Sequence, residues 1–396
     1  MKDEKSTLNR RQFLGTATAA GAIGAVGIGA MMNSCGKPAV DLKLPPLLDV
    51  APDGPELTAG LVGCGGRGTG AAAQFLSAGP NLKIIALADV FRDRLDSCRQ
   101  RLTDKPGFEV TNENCFIGFD AYRKLIDSGV DVVLLATPPH FRPEHFAAAI
   151  KARKHVFMEK PVAVDPVGAR SVMSTAKKAD AAGLSVVTGT QRRHQRDYIE
   201  TFKRVAGGEI GEIVSANCYW NGGQLWYKTQ QSGWSDMEYM IRDWVNWCWL
   251  SGDHIVEQHV HNLDVINWFT GKHPVKTVGF GGRHRRVTGD QYDFFSVDYV
   301  FDDSKHLHSM CRQIDGCANN VSEFIMGTKG HSNCRNTIWK PDGSVRWNYP
   351  YLKDDKGKTH LKVGPYFQEH IDLVTAIRTN KPVDYAENTA ISTLVA

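Results

Sequence analysis

Leu57-Thr58-Ala59-Gly60-Leu61-Val62-Gly63-Cys64-Gly65-Gly66-Arg67-Gly68 decides how this chain is read. A short apolar run enters a glycine-rich turn, and Thr69 to Ser77 continues as a helix former. Strand, Gly-x-Gly-x-x-Gly turn and helix are the parts of a dinucleotide-binding fingerprint. Gly63, Gly65 and Gly68 permit the tight turn and a close backbone approach to a pyrophosphate, with Gly66 and Arg67 completing it, and the helix N-terminus faces that anion. A second apolar run, Leu82 to Ala88, ends in Asp89, 21 residues beyond Gly68. A carboxylate there takes both ribose hydroxyls and repels a 2'-phosphate, which favours NAD over NADP. Arg92 and Arg94 follow closely and soften that choice. The competing reading, a glycine turn that binds nothing, has the strand, the helix and the acid against it.

Outward from this unit the strand–helix alternation continues. Val130 to Ala136 is an apolar run broken only by Asp131, as in a parallel strand covered on both faces. Pro143 to Ala152 reads as a helix, His155 to Met158 as a short strand, and Leu184 to Thr188 closes the set. The pattern predicts an α/β, doubly wound parallel sheet of the Rossmann type over residues 57–188. After about Thr190 the texture changes. Ile213 to Trp220, Phe294 to Phe301 and Lys305 to Ile314 alternate like antiparallel strands with one covered face. A Trp-rich helical region runs from Asp236 to Leu250, and Phe367 to Arg378 is amphipathic. A second, α+β domain over 189–396 follows, and 396 residues suit two domains.

The balance of 42% hydrophobic and 23% charged residues is that of an ordinary soluble globular protein. The net charge of +4 is small, and the basic runs that nucleic-acid binding needs are missing from the sequence. Asn9-Arg10-Arg11-Gln12-Phe13-Leu14 is a twin-arginine export signature, and Phe13 to Met32 is Gly/Ala-rich and weakly hydrophobic. A cleaved leader over 1–34 fits better than a membrane span. Met32-Asn33-Ser34-Cys35-Gly36 is a loose lipoprotein cleavage site that would leave Cys35 as a lipidated first residue. Ordinary signal-peptidase cleavage and an uncut anchor are the alternatives. Residues 35–56, with five prolines, read as an extended tether. The eight further cysteines are expected to be mostly free and buried, because a domain of this size needs no staples and twin-arginine export follows folding in a reducing compartment. A folded export route together with a nucleotide site implies that the cofactor travels with the protein and stays bound. Its redox state must then be restored within each cycle.

Ala136-Thr137-Pro138-Pro139-His140, the helix carrying His145, and Lys154-His155-Val156-Phe157-Met158-Glu159-Lys160-Pro161 make the chain recognisable. From about Leu57 onward it resembles the Gfo/Idh/MocA family, the relatives of glucose–fructose oxidoreductase and inositol dehydrogenase. The glycine turn, Asp89 and above all Glu159-Lys160-Pro161 carry the likeness. It implies an open, mostly antiparallel second-domain sheet that serves as an oligomer interface, and a nicotinamide and a sugar bound between the domains. It also implies further chain beyond the Asn388–Ala396 helix. Thr137, Pro138, His140, Glu159 and Lys160 would line the cofactor side, and Lys160 would reach the reacting hydroxyl. Hydride leaves a carbinol carbon only if the hydroxyl proton is removed, and a partly desolvated lysine beside a cationic nicotinamide is a fitting proton carrier.

The family's second motif, Asp-x-Gly-x-His-x-x-Asp, aligns with Glu257-Gln258-His259-Val260-His261-Asn262-Leu263-Asp264. The alignment makes His261 the acid/base partner of Lys160, Glu257 a substrate or orienting group, and Asp264 the last acid on the same helical face. Glu for Asp and His259 for Gly depart from the pattern. With His254 and Cys248 nearby these departures raise a metal reading, but positions 257 and 259 diverge on a helix and the spacing is not His-Glu-x-x-His, so no metal is expected. Arg193 or His194, after the last parallel strand, would bind sugar hydroxyls or form an inter-domain salt bridge. Trp226 and Trp234, in a Gly/Gln/Ser-rich loop, are candidate sugar platforms, since indole faces pack on pyranose C–H faces. The expectation is an NAD-dependent oxidoreductase of sugars or glycosides, with C3 the favoured carbon. The retained hydride would return to a second carbonyl substrate. The alternatives are an NAD-dependent glycoside hydrolase, working by transient oxidation and β-elimination, and a carbohydrate-binding protein with a vestigial nucleotide site.

Overall fold

The computed structural model describes Leu42 and residues 44–396. The leader and Cys35 lie outside the described residues. Among the described residues no helix is long and apolar enough to cross a membrane.

The first sheet is β1 (Leu57–Val62), β2 (Leu82–Asp89), β3 (Cys115–Ile117), β4 (Val132–Leu135), β5 (His155–Met158) and β6 (Val186–Thr188), in the order β3-β2-β1-β4-β5-β6. Every neighbouring pair is parallel. This is the doubly wound order with its reversal beside β1, so the β1 and β4 ends form the crevice where ligands enter such sheets. Helices α1 (Gly66–Leu76), α2 (Arg92–Leu102), α3 (Ala121–Asp127), α4 (Arg142–Lys151) and α5 (Pro166–Ala181) provide the crossovers. β4 is buried at every residue, which is why it reads as an unbroken apolar run. α1 starts at the fingerprint itself, three residues before the expected Thr69, because Gly65 supplies an extended N-cap. β3 escaped the sequence reading, having only three residues, none fully buried.

Helix α6 (Arg196–Ala206) leads into the second sheet. There β7 (Ile213–Gly222) pairs parallel to β10 (His306–Gln313) and antiparallel to β11 (Asn320–Gly327), with β8 (Lys276–Gly282), β9 (Phe294–Val300), β12 (Gly330–Ser332), β13 (Thr337–Trp339) and β14 (Val345–Asn348) outward. The sheet is mostly antiparallel, as expected. The Trp-rich region is interrupted: α7 covers only Asp236–Arg242, followed by short turns at Trp244–Asn246 and Cys248–Ser251. A π-turn, Ile255–His259, runs into α8 (Val260–Thr270), which packs its buried residues under the sheet. Val278, Phe280 and Met310 remain exposed.

Two segments sit differently from the sequence reading. α9 (Pro365–Arg378) and α10 (Ala386–Val395), assigned by sequence to the second domain, pack on the first. Ile371, Leu373 and Val374 join the core with Leu61, Leu87 and Phe157, and Ala386 and Ala390 join Val156 and Val186. Between them Asp384 bridges to Val186 and extends the parallel sheet by one rung. Residues 44–56 are extended, but they lie on the fold as a bound segment. Arg196 donates to the Leu47 carbonyl (2.9 Å) and to Asp49 (2.7 Å), and Arg378 donates to the Pro52 carbonyl (2.7 Å). The eight cysteines of the described residues are free, and five of them are buried.

Burial pushes the Asp384 carboxyl up to about 7, opposed by the Ala386 N–H it accepts (2.6 Å) and helped by the charges of Asp180 and Glu387. An unfolded aspartate titrates near ~4, so folding loses stability as the pH climbs from about 4 through 7. Asp384→Asn keeps an acceptor for Ala386 without the charge. It is expected to stabilise the protein by about 2–4 kcal/mol near pH ~8 and to change little near pH ~4. Thermal melts at the two pH values check this, and equal effects at both would exonerate the carboxyl.

Candidate active site

The crevice at the β1 and β4 ends is a cleft of about 490 Å³ lined by the glycine turn, Asp89, Phe91, Arg94, Thr137 and Pro138, with Trp226, Tyr227, Arg242 and Trp244 from the second domain. Gly63 holds φ +97°, and a Cβ on it would lie 2.6 Å from the Ala136 carbonyl carbon. A Cβ on Gly68 would lie 1.9 Å from the Gly63 oxygen. By contrast, Gly65 and Gly66 face open space, with nothing within 4 Å of a Cβ. The first turn of α1 has no side-chain cap and no acidic residue. Free backbone N–H groups below an unfilled cradle are what a pyrophosphate requires, so the residues present fit a dinucleotide. Asp89 is fixed at the cleft by two backbone donors, Cys64 N–H (2.7 Å) and Phe91 N–H (2.8 Å). Burial nonetheless pushes its carboxyl up from the ordinary value.

Lys160 projects from the end of β5 to the π-turn of the second domain. Its Nζ donates to Glu257 Oε1 at 3.0 Å and to the Glu257 carbonyl, with the two side chains only 12% and 9% exposed. Gln258 Nε2 holds the other Glu257 oxygen. The π-turn changes the helical phase, so positions 257, 261 and 264 do not form one continuous α-helical face. Glu257 meets Lys160, and His261 stacks on Trp220 (ring centroids 5.7 Å, 22°). Burial, then the charges of Lys160, Arg192 and His259, push the His261 imidazole well below its ordinary value. At neutral pH it is therefore an uncharged ring.

Several expected site residues bind one another. Arg193 forms a two-pronged pair with Asp264 (2.8 and 2.9 Å), which also accepts from Ser392 (2.8 Å). His194 is buried against Asp372 (2.6 Å) under α9. Glu159 receives Arg67 Nε at 2.8 Å. His140 is exposed, with its ring edge-on to Trp249 at 5.1 Å. Trp226 lines the cleft beside the glycine turn, and Trp234 lies under the Arg242 guanidinium (4.9 Å). His259 packs beneath the sheet on Ser309 (2.6 Å), where burial depresses its imidazole to about 3. His254 pairs with Asp253. Cys248 Sγ turns to the same Asp253 (3.6 Å), while Glu257 goes to Lys160.

Three further residues complete the site. Trp220 supports His261, and Arg192, salt-bridged to buried Glu323, lies 5.6 Å over the Trp220 ring. Buried Arg142 donates to the carbonyls of both Thr137 and Pro161, tying the cofactor loop to the lysine loop. Its place two residues after Pro138-Pro139-His140 was the available signal.

Residues 57–188 match the Gfo/Idh/MocA oxidoreductase family, NAD-binding Rossmann fold. The Rossmann domain is thus assigned by sequence as well as by topology. Over 224 residues the chain is 26% identical to the 2,7-anhydro-N-acetylneuraminate hydratase of Escherichia coli, covering 56% of this chain and 52% of that protein. Over 214 residues it is 24% identical to the inositol 2-dehydrogenase of Salmonella typhimurium, covering 54% of each. The chain therefore spans about half the length of these curated relatives. The aldose-aldose oxidoreductase of Caulobacter crescentus, solved with glycerol, superposes with TM-score 0.65 at 17% identity, over 86% of this chain and 94% of that one. This likeness extends the shared fold beyond the Rossmann domain to both domains.

Proposed function

We propose that the chain is an NAD(H)-dependent oxidoreductase of sugars or glycosides whose cofactor stays bound through turnover. The observation that carries this reading is the inter-domain pair of Lys160 and Glu257 (3.0 Å) in one electrostatic environment with a neutral, buried His261. Bound NAD would supply a hydride acceptor for a carbinol C–H. His261 is suited to take the hydroxyl proton released at the same time, and Lys160, aimed by Glu257, to donate a hydrogen bond to the oxygen as its charge develops. Gly63 to Gly68 would hold the pyrophosphate and Asp89 the ribose hydroxyls, which favours NAD over NADP. The twin-arginine leader, with lipidated Cys35, would carry the loaded protein out of the cytoplasm; cell fractionation tests this. A second copy would cover the exposed Val278, Phe280 and Met310 face; light scattering tests that.

A second reading has a specific support. One relative is a hydratase, a name that denotes no net redox. Oxidation at C3 of a glycoside would acidify C2–H, β-elimination would expel the C1 substituent, and water addition with re-reduction would complete a hydrolysis. The test begins with a spectrum of the purified protein, then additions of glycosides and their 3-keto forms without added NAD. A reduced-nicotinamide band that rises with a glycoside and falls with a keto-sugar is the expected result. Release of aglycone in step favours the hydrolase. A protein that takes up no nucleotide overturns both.

A further inference from the structure

After Gly222, the last residue of β7, the chain leaves the second sheet and returns to it only after Trp244, lining the nucleotide cleft on the way with Trp226, Tyr227 and Arg242. This crossing is tied down through two adjacent residues, Asp243 and Arg242. At its foot the fully buried Asp243 accepts from Lys228 N–H (2.7 Å) and from Asn246 Nδ2 (2.9 Å), and the same Asn246 amide donates to the Trp226 carbonyl (3.2 Å). Next to Asp243, Arg242 grips Asp93, in the first turn of α2, through two parallel bonds of 3.0 Å each. The guanidinium lies 3.9 Å over the Phe91 ring and donates to Glu238 at 2.8 Å. The grip falls four residues past Asp89, at the turn where the fingerprint places the adenosine ribose. Trp226 and Tyr227 are held in place by their backbone, yet 48% and 50% of their surface is exposed beside the cleft. Large flat faces fixed at the adenosine end of a dinucleotide site are matched by one part of that ligand, its purine ring.

We infer that residues 223–244 are a strap that closes the adenosine half of the dinucleotide site, with Trp226 and Tyr227 on the adenine ring and the Arg242–Asp93 pair as the latch. The inference rests on the proposed NAD(H) reading and gives cofactor retention a structural cause. Release requires the two-pronged ion pair to open, so exchange is slow while the latch is closed. The strap is also why Trp226 serves the cofactor and leaves sugar binding to other groups.

The test loads the full chain with NADH and follows its dissociation into excess NAD by loss of energy transfer from tryptophan to the reduced nicotinamide. Wild type is compared with Arg242→Ala, Asp93→Asn and Trp226→Ala. Asp93→Asn removes only the charge and leaves Arg242 on Phe91 and Glu238, so it guards against a strap that has simply unfolded. All three variants are expected to release NADH about tenfold faster or more. The wild-type rate should rise with salt, because Asp93 is largely exposed, and that dependence should disappear in Asp93→Asn. Equal rates in wild type, Arg242→Ala and Asp93→Asn overturn the strap while leaving NAD binding intact. An unchanged rate in Trp226→Ala with a raised KM for sugar overturns it in favour of a sugar platform. Failure of wild type to bind any NADH removes the cofactor reading and the strap together.

Discussion

Lys160→Met is expected to lower kcat for hydride transfer about 10³-fold, equivalent to about 4 kcal/mol, while NADH still binds. Methionine keeps the length and apolar stem of lysine but removes the donor that meets the substrate oxygen. It also leaves Glu257, only 9% exposed, as a buried carboxylate without its partner. That second effect should destabilise the protein by about 3 kcal/mol, because breaking one side of a buried pair leaves an uncompensated charge. The double variant Lys160→Met, Glu257→Gln separates the two effects. Its melting temperature should return most of the way to wild type, and its kcat should stay low. Single-turnover reduction of bound NAD, followed at the reduced-nicotinamide band, reads the chemistry without product release. Recovery of activity along with stability would make Lys160 a structural anchor and assign the hydrogen bond to the substrate oxygen to another group.

Gly68→Ala carries the other large effect. The new methyl would lie 1.9 Å from the Gly63 oxygen, and both atoms belong to backbone that holds the turn. Helix α1 must shift, at a cost on the order of 3 kcal/mol, and nucleotide affinity should fall at least about 100-fold. Gly65→Ala is the informative companion. Its methyl meets nothing within 4 Å, so the melting temperature should hold, yet it fills the cradle meant for pyrophosphate. Calorimetric melts paired with NADH titration distinguish the outcomes. Normal nucleotide affinity in Gly65→Ala would mean that the open space above the turn is not the phosphate site.

The parts of the fold that were legible in sequence are those whose cause is local. β1 and β5 run over the expected residues because short apolar runs bounded by a glycine turn, or by a helix end, have one economical reading. The turn itself was legible because only glycine tolerates the Gly63 φ and the Gly68 approach. Edge elements were not. β8 is almost wholly exposed and carries three glycines, so its sequence has neither alternation nor a buried face to report. At the site, the importance of Lys160 and His261 followed from the resemblance. The role of Glu257 as the holder of Lys160 is a contact between residues 97 apart, which no local pattern encodes. The same limit explains Trp226. Its loop composition suggested a sugar platform, but which cleft the loop overhangs depends on the path of the whole second domain.

The return of α9 and α10 to the first domain has a consequence for the order of events on the ribosome. The parallel sheet is synthesised in one stretch ending at Thr188, but the apolar faces that receive Ile371, Val374, Ala386 and Ala390 stay uncovered until residues near 390 have emerged. During that interval the nascent chain presents a nearly finished nucleotide-binding sheet with an exposed flank and an unpaired β6 edge. The second domain is translated entirely within this window. Closure of the first domain therefore reports that the second has been made, and a chain broken off after β14 would leave the nucleotide-binding half sticky and open to proteases.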